Sequence, residues 1–224
     1  MIQMISFDMD GTLIESGYTD WVWHHGIPTL YAEKTGLSFE EAKAFVIEEY
    51  KKIGEGAIEW YDIKYWIQFF ELETGWRTLL EQYIDKINVY PDVHHILERL
   101  RDRFLLVLTS NAGREFIEVE MEATGLRKYF DQIFSATSDF KEVKKTTVFY
   151  QRLCQILGKD PQEIVHVGDH YEFDYVIPRT LGIHAFYLDR SAQQKGDYVI
   201  WDLRDLEKKI PEGSISNDNL NCEL

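Results

Sequence analysis

The most informative part of this sequence is a short acidic motif, Asp8-Met9-Asp10-Gly11-Thr12. It follows the apolar run at residues 4–7, which is typical of a short β-strand, so the motif lies where a strand passes into a turn. Gly11 permits a turn that lets Asp8 and Asp10 face one pocket. Two close carboxylates repel each other, and Mg²⁺ relieves that repulsion because it prefers oxygen ligands. An ionised aspartate beside such an ion can attack phosphorus and form an aspartyl phosphate.

Polar residues also follow two later apolar runs. Ser110 and Asn111 come after the run at residues 104–108, and Asp169 comes after the run at residues 164–167. Open parallel sheets bind ligands outside the carboxyl ends of their strands, so we expect these residues to share one crevice with the first motif. A phosphoryl-transfer site needs a nucleophile, an acid or base, a metal and donors for the phosphoryl oxygens. The sequence supplies a candidate for each.

The elements that position these residues alternate between strands and helices, which predicts an α/β fold with a doubly wound, Rossmann-like parallel sheet. Between the first strand and about residue 86 the apolar residues follow helical spacing instead, beginning with a capping box at Ser38. We therefore predict three parts, with boundaries as follows: a core domain at 1–16 and 88–210, an inserted all-helical cap domain at 17–87, and a flexible polar tail at 211–224.

Composition excludes several classes of partner. The formal charge of −15 disfavours binding to nucleic acid or to an anionic membrane surface. No apolar run approaches the roughly 18 residues of a membrane-spanning helix, and the N-terminus lacks a signal-peptide pattern, so the expected location is cytoplasmic. Of the two cysteines, Cys154 lies in a helical apolar pattern and is expected to be buried rather than nucleophilic.

The predicted cap is rich in aromatic residues, which allows two interpretations. They could line a pocket for an apolar or aromatic phosphate ester, or they could form the core of the cap and its seam with the sheet domain. We favour packing, because aromatic residues at helical spacing usually pack. His24 and His25 lie near the start of this block and have no partner at metal-ligand spacing, so no role is assigned to them.

Four motifs, taken together, resemble those of the haloacid dehalogenase superfamily, phosphatase branch, over residues 1–210. The first is Asp8-x-Asp10-Gly11-Thr12. The second is the apolar strand with Ser110-Asn111. The fourth is Gly168-Asp169 followed by Asp174. The order of the motifs and their positions at strand ends match the family pattern, in which a helical cap is inserted after the first motif.

The third motif departs from the family pattern. The family usually has Lys-Pro there, whereas this chain has Lys144-Lys145. Counting back from Gly158 through an aromatic residue favours Lys144 as the catalytic lysine. Lys141 and Lys145 remain alternatives.

The resemblance implies a two-step mechanism with Mg²⁺. Asp8 becomes phosphorylated, and Asp10 protonates the leaving alcohol and then activates water. The metal is held by Asp8, the backbone carbonyl of Asp10, and Asp169. The remaining assignments are Ser110 and Lys144 as catalytic, Gly11, Thr12 and Asn111 as substrate-binding, and Asp174 as a support for the lysine or the metal.

The leading hypothesis is a phosphomonoester hydrolase acting on a small phosphorylated metabolite, as a monomer or homodimer. Asp10 favours phosphate esters, because the dehalogenase branch of the superfamily lacks an aspartate there. A phosphomutase of the β-phosphoglucomutase type shares every motif and stays open. A phosphonatase, with a cap lysine as Schiff base, and a catalytically silent binding module are further alternatives.

Overall fold

The computed structural model describes residues 1–210, and the predicted tail at 211–224 lies outside the described residues. Six strands form one sheet in the order β3-β2-β1-β4-β5-β6, and every pair is parallel. The predicted doubly wound parallel sheet is therefore confirmed. The strands are β1 (Met4–Phe7), β2 (Leu105–Ser110), β3 (Gln132–Ser135), β4 (Ile164–Gly168), β5 (His184–Leu188) and β6 (Val199–Ile200).

Helices cover both faces of the sheet, as strand alternation requires. In β1, Ile5 and Phe7 pack into the cluster on one face, whereas Met4 packs into the cluster on the other. The first face is covered by α6 (Val93–Arg101), α7 (Arg114–Thr124) and α10 (Arg204–Lys209), and the second by α8 (Thr147–Leu157) and α9 (Ile177–Thr180). Cys154 lies in α8 and is buried, as predicted.

Residues 17–86 fold into a helical block, and this described segment contains no strand. The predicted capping box at Ser38 is present, with Glu41 as its partner. Within residues 1–210, no helix combines the length and the apolar character needed to cross a membrane. The helices of the block are α1 (Gly17–Trp21), α2 (Ile27–Thr35), α3 (Phe39–Ile53), α4 (Ile63–Phe69) and α5 (Trp76–Glu81).

Most aromatic side chains of the block pack together, which confirms the packing interpretation for them. Tyr18, Trp66 and Phe70 lie in a buried cluster that extends onto Phe116 and Val119 of α7 in the sheet domain. This cluster is the seam between the block and the sheet domain.

The two chain segments that enter and leave the block run side by side. Ile14 and Val89 form an antiparallel bridge, and Glu15 N–H donates to the Asn88 carbonyl over 2.9 Å. The proposed cap boundaries lie next to this crossing, and the division into two domains stays a prediction.

Candidate active site

Three acidic side chains meet at the carboxyl ends of the central strands. Asp8 follows β1 and Asp169 follows β4, while Asp174 lies in the π-helical turn Tyr171–Val176. One carboxylate oxygen of each lies within 4.8 Å of the others. The parallel topology therefore brings together residues that are up to 166 positions apart in sequence (174 − 8).

A buried lysine neutralises part of this charge. The Lys145 ammonium contacts Asp8, lies 2.6 Å from Asp174, and donates to the carbonyl of Thr109 over 3.1 Å. Burial lowers the pKa of Lys145, but Asp174 and Asp8 beside it raise the pKa further, so that it lies above its ordinary value. Lys145 is thus a fixed positive charge next to the predicted nucleophile.

The structure corrects the lysine assignment by one residue. Lys145, rather than Lys144, lies against Asp8. Thr146 caps α8, its hydroxyl accepting from Phe149 N–H over 3.3 Å, and its backbone is extended. Before Thr146 the chain turns tightly, because Thr146 N–H donates to the Lys144 carbonyl over 2.9 Å. The two lysine side chains diverge there: Lys145 contacts Asp8, whereas the Lys144 ammonium lies near the rings of Tyr61 and Phe173. Counting back along the sequence could not detect this, because it does not locate the first residue of the helix.

Asp174 is held by a buried polar network that the sequence analysis missed. His166 of β4 lies 3.1 Å from Asp174 and 3.0 Å from the hydroxyl of Ser6 in β1. Burial lowers the pKa of His166, which favours the neutral ring that accepts from Ser6 and donates to Asp174. A single polar residue within an otherwise apolar strand was the available sequence signal.

The charge on Asp174 follows from these neighbours. Burial raises its pKa, but Lys145 and His166 more than offset that effect and hold the pKa well below its ordinary range. Asp174 is thus ionised and paired with Lys145. This arrangement agrees with the predicted support of a lysine by Asp174, with Lys145 in place of Lys144.

The turn after β1 is shaped by Asp8 and Asp169. Thr12 donates from its hydroxyl to Asp8 over 3.2 Å. Gly11 has a φ of +77°, and a Cβ at this position would collide with the Asp169 carboxylate. The Gly11 N–H donates to the Ile14 carbonyl over 2.7 Å, so it is engaged within the turn. These contacts show Gly11 and Thr12 shaping the site; substrate binding by either stays a prediction.

Asp10 occupies a different environment from Asp8. Its carboxylate accepts from the Thr19 hydroxyl of α1 over 3.3 Å. Burial raises the pKa of Asp10 to about 6, although Thr19 and Lys145 lower it. A carboxyl with such a pKa can both give and take a proton near neutral pH.

Ser110 and Asn111 lie at the end of β2, the neighbour of β1. The Ser110 oxygen accepts from Ala112 N–H over 3.0 Å, which leaves the hydroxyl hydrogen available to donate. The Asn111 side-chain oxygen is buried and has no hydrogen-bond partner within residues 1–210. Both residues are polar groups at the edge that holds the carboxylates.

The carboxylate set fits a hard divalent cation. Burial, with repulsion from Asp174 and Asp169, raises the pKa of Asp8 well above its ordinary value despite the contact with Lys145. Burial likewise raises the pKa of Asp169 to about 6. A cation bound between Asp8 and Asp169 would offset this penalty. Because Asp174 is engaged by Lys145 and His166, Asp8 and Asp169 are the side chains that remain to hold Mg²⁺.

The family model described as "haloacid dehalogenase-like hydrolase" matches residues 2–177, which include all four motifs. This chain belongs to the haloacid dehalogenase-like hydrolases. The HAD phosphatase from Thermococcus onnurineus, a solved structure, matches this hydrolase with a TM-score of 0.79 at 26% identity, over 96% of this chain and 100% of that one.

Curated relatives of this hydrolase carry phosphate-related names. The phosphoglycolate phosphatase of Chromobacterium violaceum is 28% identical over 207 residues, covering 85% of this chain and 89% of the relative. The GMP/IMP nucleotidase YrfG of Escherichia coli is 23% identical over 175 residues, covering 75% of this chain and 74% of the relative. The hydrolase is similar to both over most of their length.

Proposed function

We propose that this hydrolase is a Mg²⁺-dependent phosphatase that hydrolyses a small phosphorylated metabolite through an aspartyl phosphate on Asp8. One observation carries the proposal: Asp8 contacts the buried Lys145 and faces Asp169, while Asp10, two residues on, has a pKa of about 6. A nucleophile, a charge-neutralising lysine and an acid/base are thus present together. The names of the relatives, phosphoglycolate phosphatase and GMP/IMP nucleotidase, support phosphate-ester chemistry.

In the first step, an oxygen of Asp8 attacks phosphorus in line, forming the acyl phosphate bond as the ester P–O bond breaks. Protonated Asp10 gives its proton to the leaving alkoxide. Lys145 keeps Asp8 in position and balances negative charge, and the Ser110 hydroxyl donates to a phosphoryl oxygen.

In the second step, ionised Asp10 takes a proton from water, and that water attacks phosphorus. The bond between phosphorus and Asp8 breaks, which releases phosphate and restores the carboxylate. Bound between Asp8 and Asp169, Mg²⁺ would supply charge neutralisation at the phosphoryl oxygens. The helical block at 17–86 would exclude water during the first step, as cap domains do.

The test is phosphate release from a panel of phosphorylated metabolites with Mg²⁺ or with EDTA. We expect release that requires Mg²⁺ and that Asp8→Asn abolishes. Acid-quenched wild-type protein should carry the mass of one phosphoryl group on the peptide that contains Asp8. Asp102→Asn, which changes an exposed aspartate at the end of α6, serves as the matched control.

Release by Asp8→Asn at the wild-type rate would overturn the proposal. Transfer of phosphate between positions of a sugar phosphate, without net release, would favour the phosphomutase alternative. A folded protein that turns over no ester would favour the silent binding module.

A further inference from the structure

The side chain of Lys144 has an unusual environment. Its ammonium lies 5.3 Å from the ring centroid of Tyr61 and 5.8 Å from that of Phe173. Among the described residues 1–210, no carboxylate pairs with it and its side chain makes no hydrogen bond. In a chain with 39 acidic residues and a net charge of −15, this half-buried lysine lies beside two rings and has no counter-ion among the described residues.

The two rings place this ammonium at the mouth of the active site. Tyr61 belongs to the helical block, and its carbonyl oxygen would lie 3.1 Å from a Cβ at Gly113, so Tyr61 lies over the loop that follows β2. Phe173 belongs to the turn that follows β4. Because β1 runs between β2 and β4, a group that contacts both residues spans the carboxyl end of β1, where Asp8 lies.

A cleft of about 230 Å³ lies next to Tyr61, between the helical block and the sheet domain. Two of its basic residues are already paired: Lys64 contacts Glu115, and Arg114 contacts Asp139. Lys141, on the same segment as Lys144, lines the cleft and has no ion-pair partner within residues 1–210. The lining also holds Asp62, whose carboxylate accepts from Lys64 N–H and Tyr65 N–H at the start of α4. Lys141 is therefore the basic residue of the lining that is left without an ion pair among residues 1–210.

We propose that Lys144 binds a second anionic group of the substrate, on the leaving-group side of the scissile phosphoryl. Lys145 serves the phosphoryl end, and Lys144, the preceding residue, lies next to Tyr61, which lines the cleft. The shared chemistry is a carboxylate or a second phosphate, with Lys141 adding positive potential. A charge-assisted hydrogen bond to such a group is stronger than the contacts with the two rings. This inference rests on the proposed phosphatase function and assigns its substrate class.

The experiment compares three phosphate esters or anhydrides under one condition: 2-phosphoglycolate, whose tail is a carboxylate, inorganic pyrophosphate, whose tail is a phosphate, and ethyl phosphate, whose tail is uncharged. In the wild type, kcat/KM should be higher for at least one anionic-tailed compound than for ethyl phosphate. Lys144→Met should lower the ratio of kcat/KM for that compound to kcat/KM for ethyl phosphate by about 10- to 100-fold. Lys144→Arg, which keeps the charge, should retain most of this ratio. The compound whose ratio falls distinguishes a carboxylate from a phosphate.

Binding supplies a second readout. The inhibition constants of phosphonoacetate and ethylphosphonate should show the same dependence on Lys144. Lys128→Met is the matched control, because Lys128 is exposed, lies 4.8 Å from the ring of Tyr129 and belongs to none of the four motifs. We expect no change of either ratio in this control.

An unchanged ratio in Lys144→Met, with all compounds slowed alike, would overturn the inference and show that Lys144 only ties the helical block to the sheet domain. Failure of the proposed function has a different signature, since no compound would then be hydrolysed by the wild type.

Discussion

The ammonium of Lys145 lies 2.6 Å from the carboxylate of Asp174, and both side chains are buried. The same ammonium contacts Asp8, so one cation serves two buried carboxylates. The Asp174 carboxylate is in turn held by the ring of His166, 3.1 Å away, and by the backbone N–H of His170, which donates to it over 3.1 Å. Asp174, held in this way, keeps the Lys145 ammonium next to Asp8, the proposed nucleophile.

We expect Lys145→Met to lower the free energy of unfolding by about 3–5 kcal/mol, because two buried carboxylates lose their shared cation. Adding Asp174→Asn should recover part of this loss, since one of the uncompensated charges is then removed. Urea unfolding of the two single variants and the double variant gives the coupling energy. Strictly additive effects would contradict the arrangement, and Lys128→Met provides the exposed-lysine control.

Gly11→Ala should weaken Mg²⁺ binding because the added Cβ displaces the Asp169 carboxylate. Gly36→Ala is a close control: its φ is +75°, against +77° for Gly11, but a Cβ there meets nothing. Both variants should lose about 1 kcal/mol of stability from backbone strain. Only Gly11→Ala should raise the Mg²⁺ concentration needed for half-maximal activity, by about tenfold or more. Equal metal dependence in the two variants would contradict this prediction.

Asp10→Asn should separate the two chemical steps. With an aryl phosphate, whose leaving group needs little protonation, Asp8 should still be phosphorylated. The second step then lacks its base, so turnover should fall about 10²- to 10⁴-fold. Stopped-flow measurement should show a burst of about one phenolate per protein molecule, followed by slow steady-state release of phenolate. This is the pattern expected when the acyl phosphate on Asp8 accumulates. Turnover like that of the wild type, or the absence of any burst, would remove Asp10 from the proposed role.

Glu120 provides a test of pH dependence. It is fully buried in α7, and neither carboxylate oxygen has a hydrogen-bond partner within residues 1–210. Burial, with repulsion from Asp10 and Asp8, raises its pKa well above the ordinary value. The folded protein therefore holds this proton more tightly than the unfolded chain. The contribution of Glu120 to stability is full at low pH and is lost as the pH rises above the ordinary carboxyl pKa.

The amide introduced by Glu120→Gln cannot ionise, so this variant should not show the loss of stability with rising pH that Glu120 causes in the wild type. As the pH rises from about 5 to about 8, the free energy of unfolding of the variant should therefore increase relative to that of the wild type. The increase should be at most about 1.4 kcal/mol per pH unit. Urea unfolding at a series of pH values measures it. The exposed Glu122 lies on the same helix, so Glu122→Gln is the control. A difference that stays constant with pH would show that Glu120 is ionised in the folded protein.

The sequence by itself predicted the sheet, the helical block and the acidic residues of the candidate site. Asp8 and Asp169 each follow an apolar strand and Ser110 is the last residue of one, and in a parallel sheet such positions share one edge whatever the loop lengths. The capping box at Ser38 could likewise be read locally, because its two hydrogen bonds join residues three apart.

Only the tertiary structure decided which lysine reaches Asp8. Lys144 and Lys145 are chemically equivalent neighbours, and their directions depend on where α8 begins and on the tight turn closed by the hydrogen bond from Thr146 N–H to the Lys144 carbonyl. Only the tertiary structure also showed that His166 supports Asp174 and that Glu120 is buried without a hydrogen-bond partner among residues 1–210. Burial and pairing arise from residues distant in the chain, so local patterns predicted the types of residue at the site, whereas packing decided which of them touch.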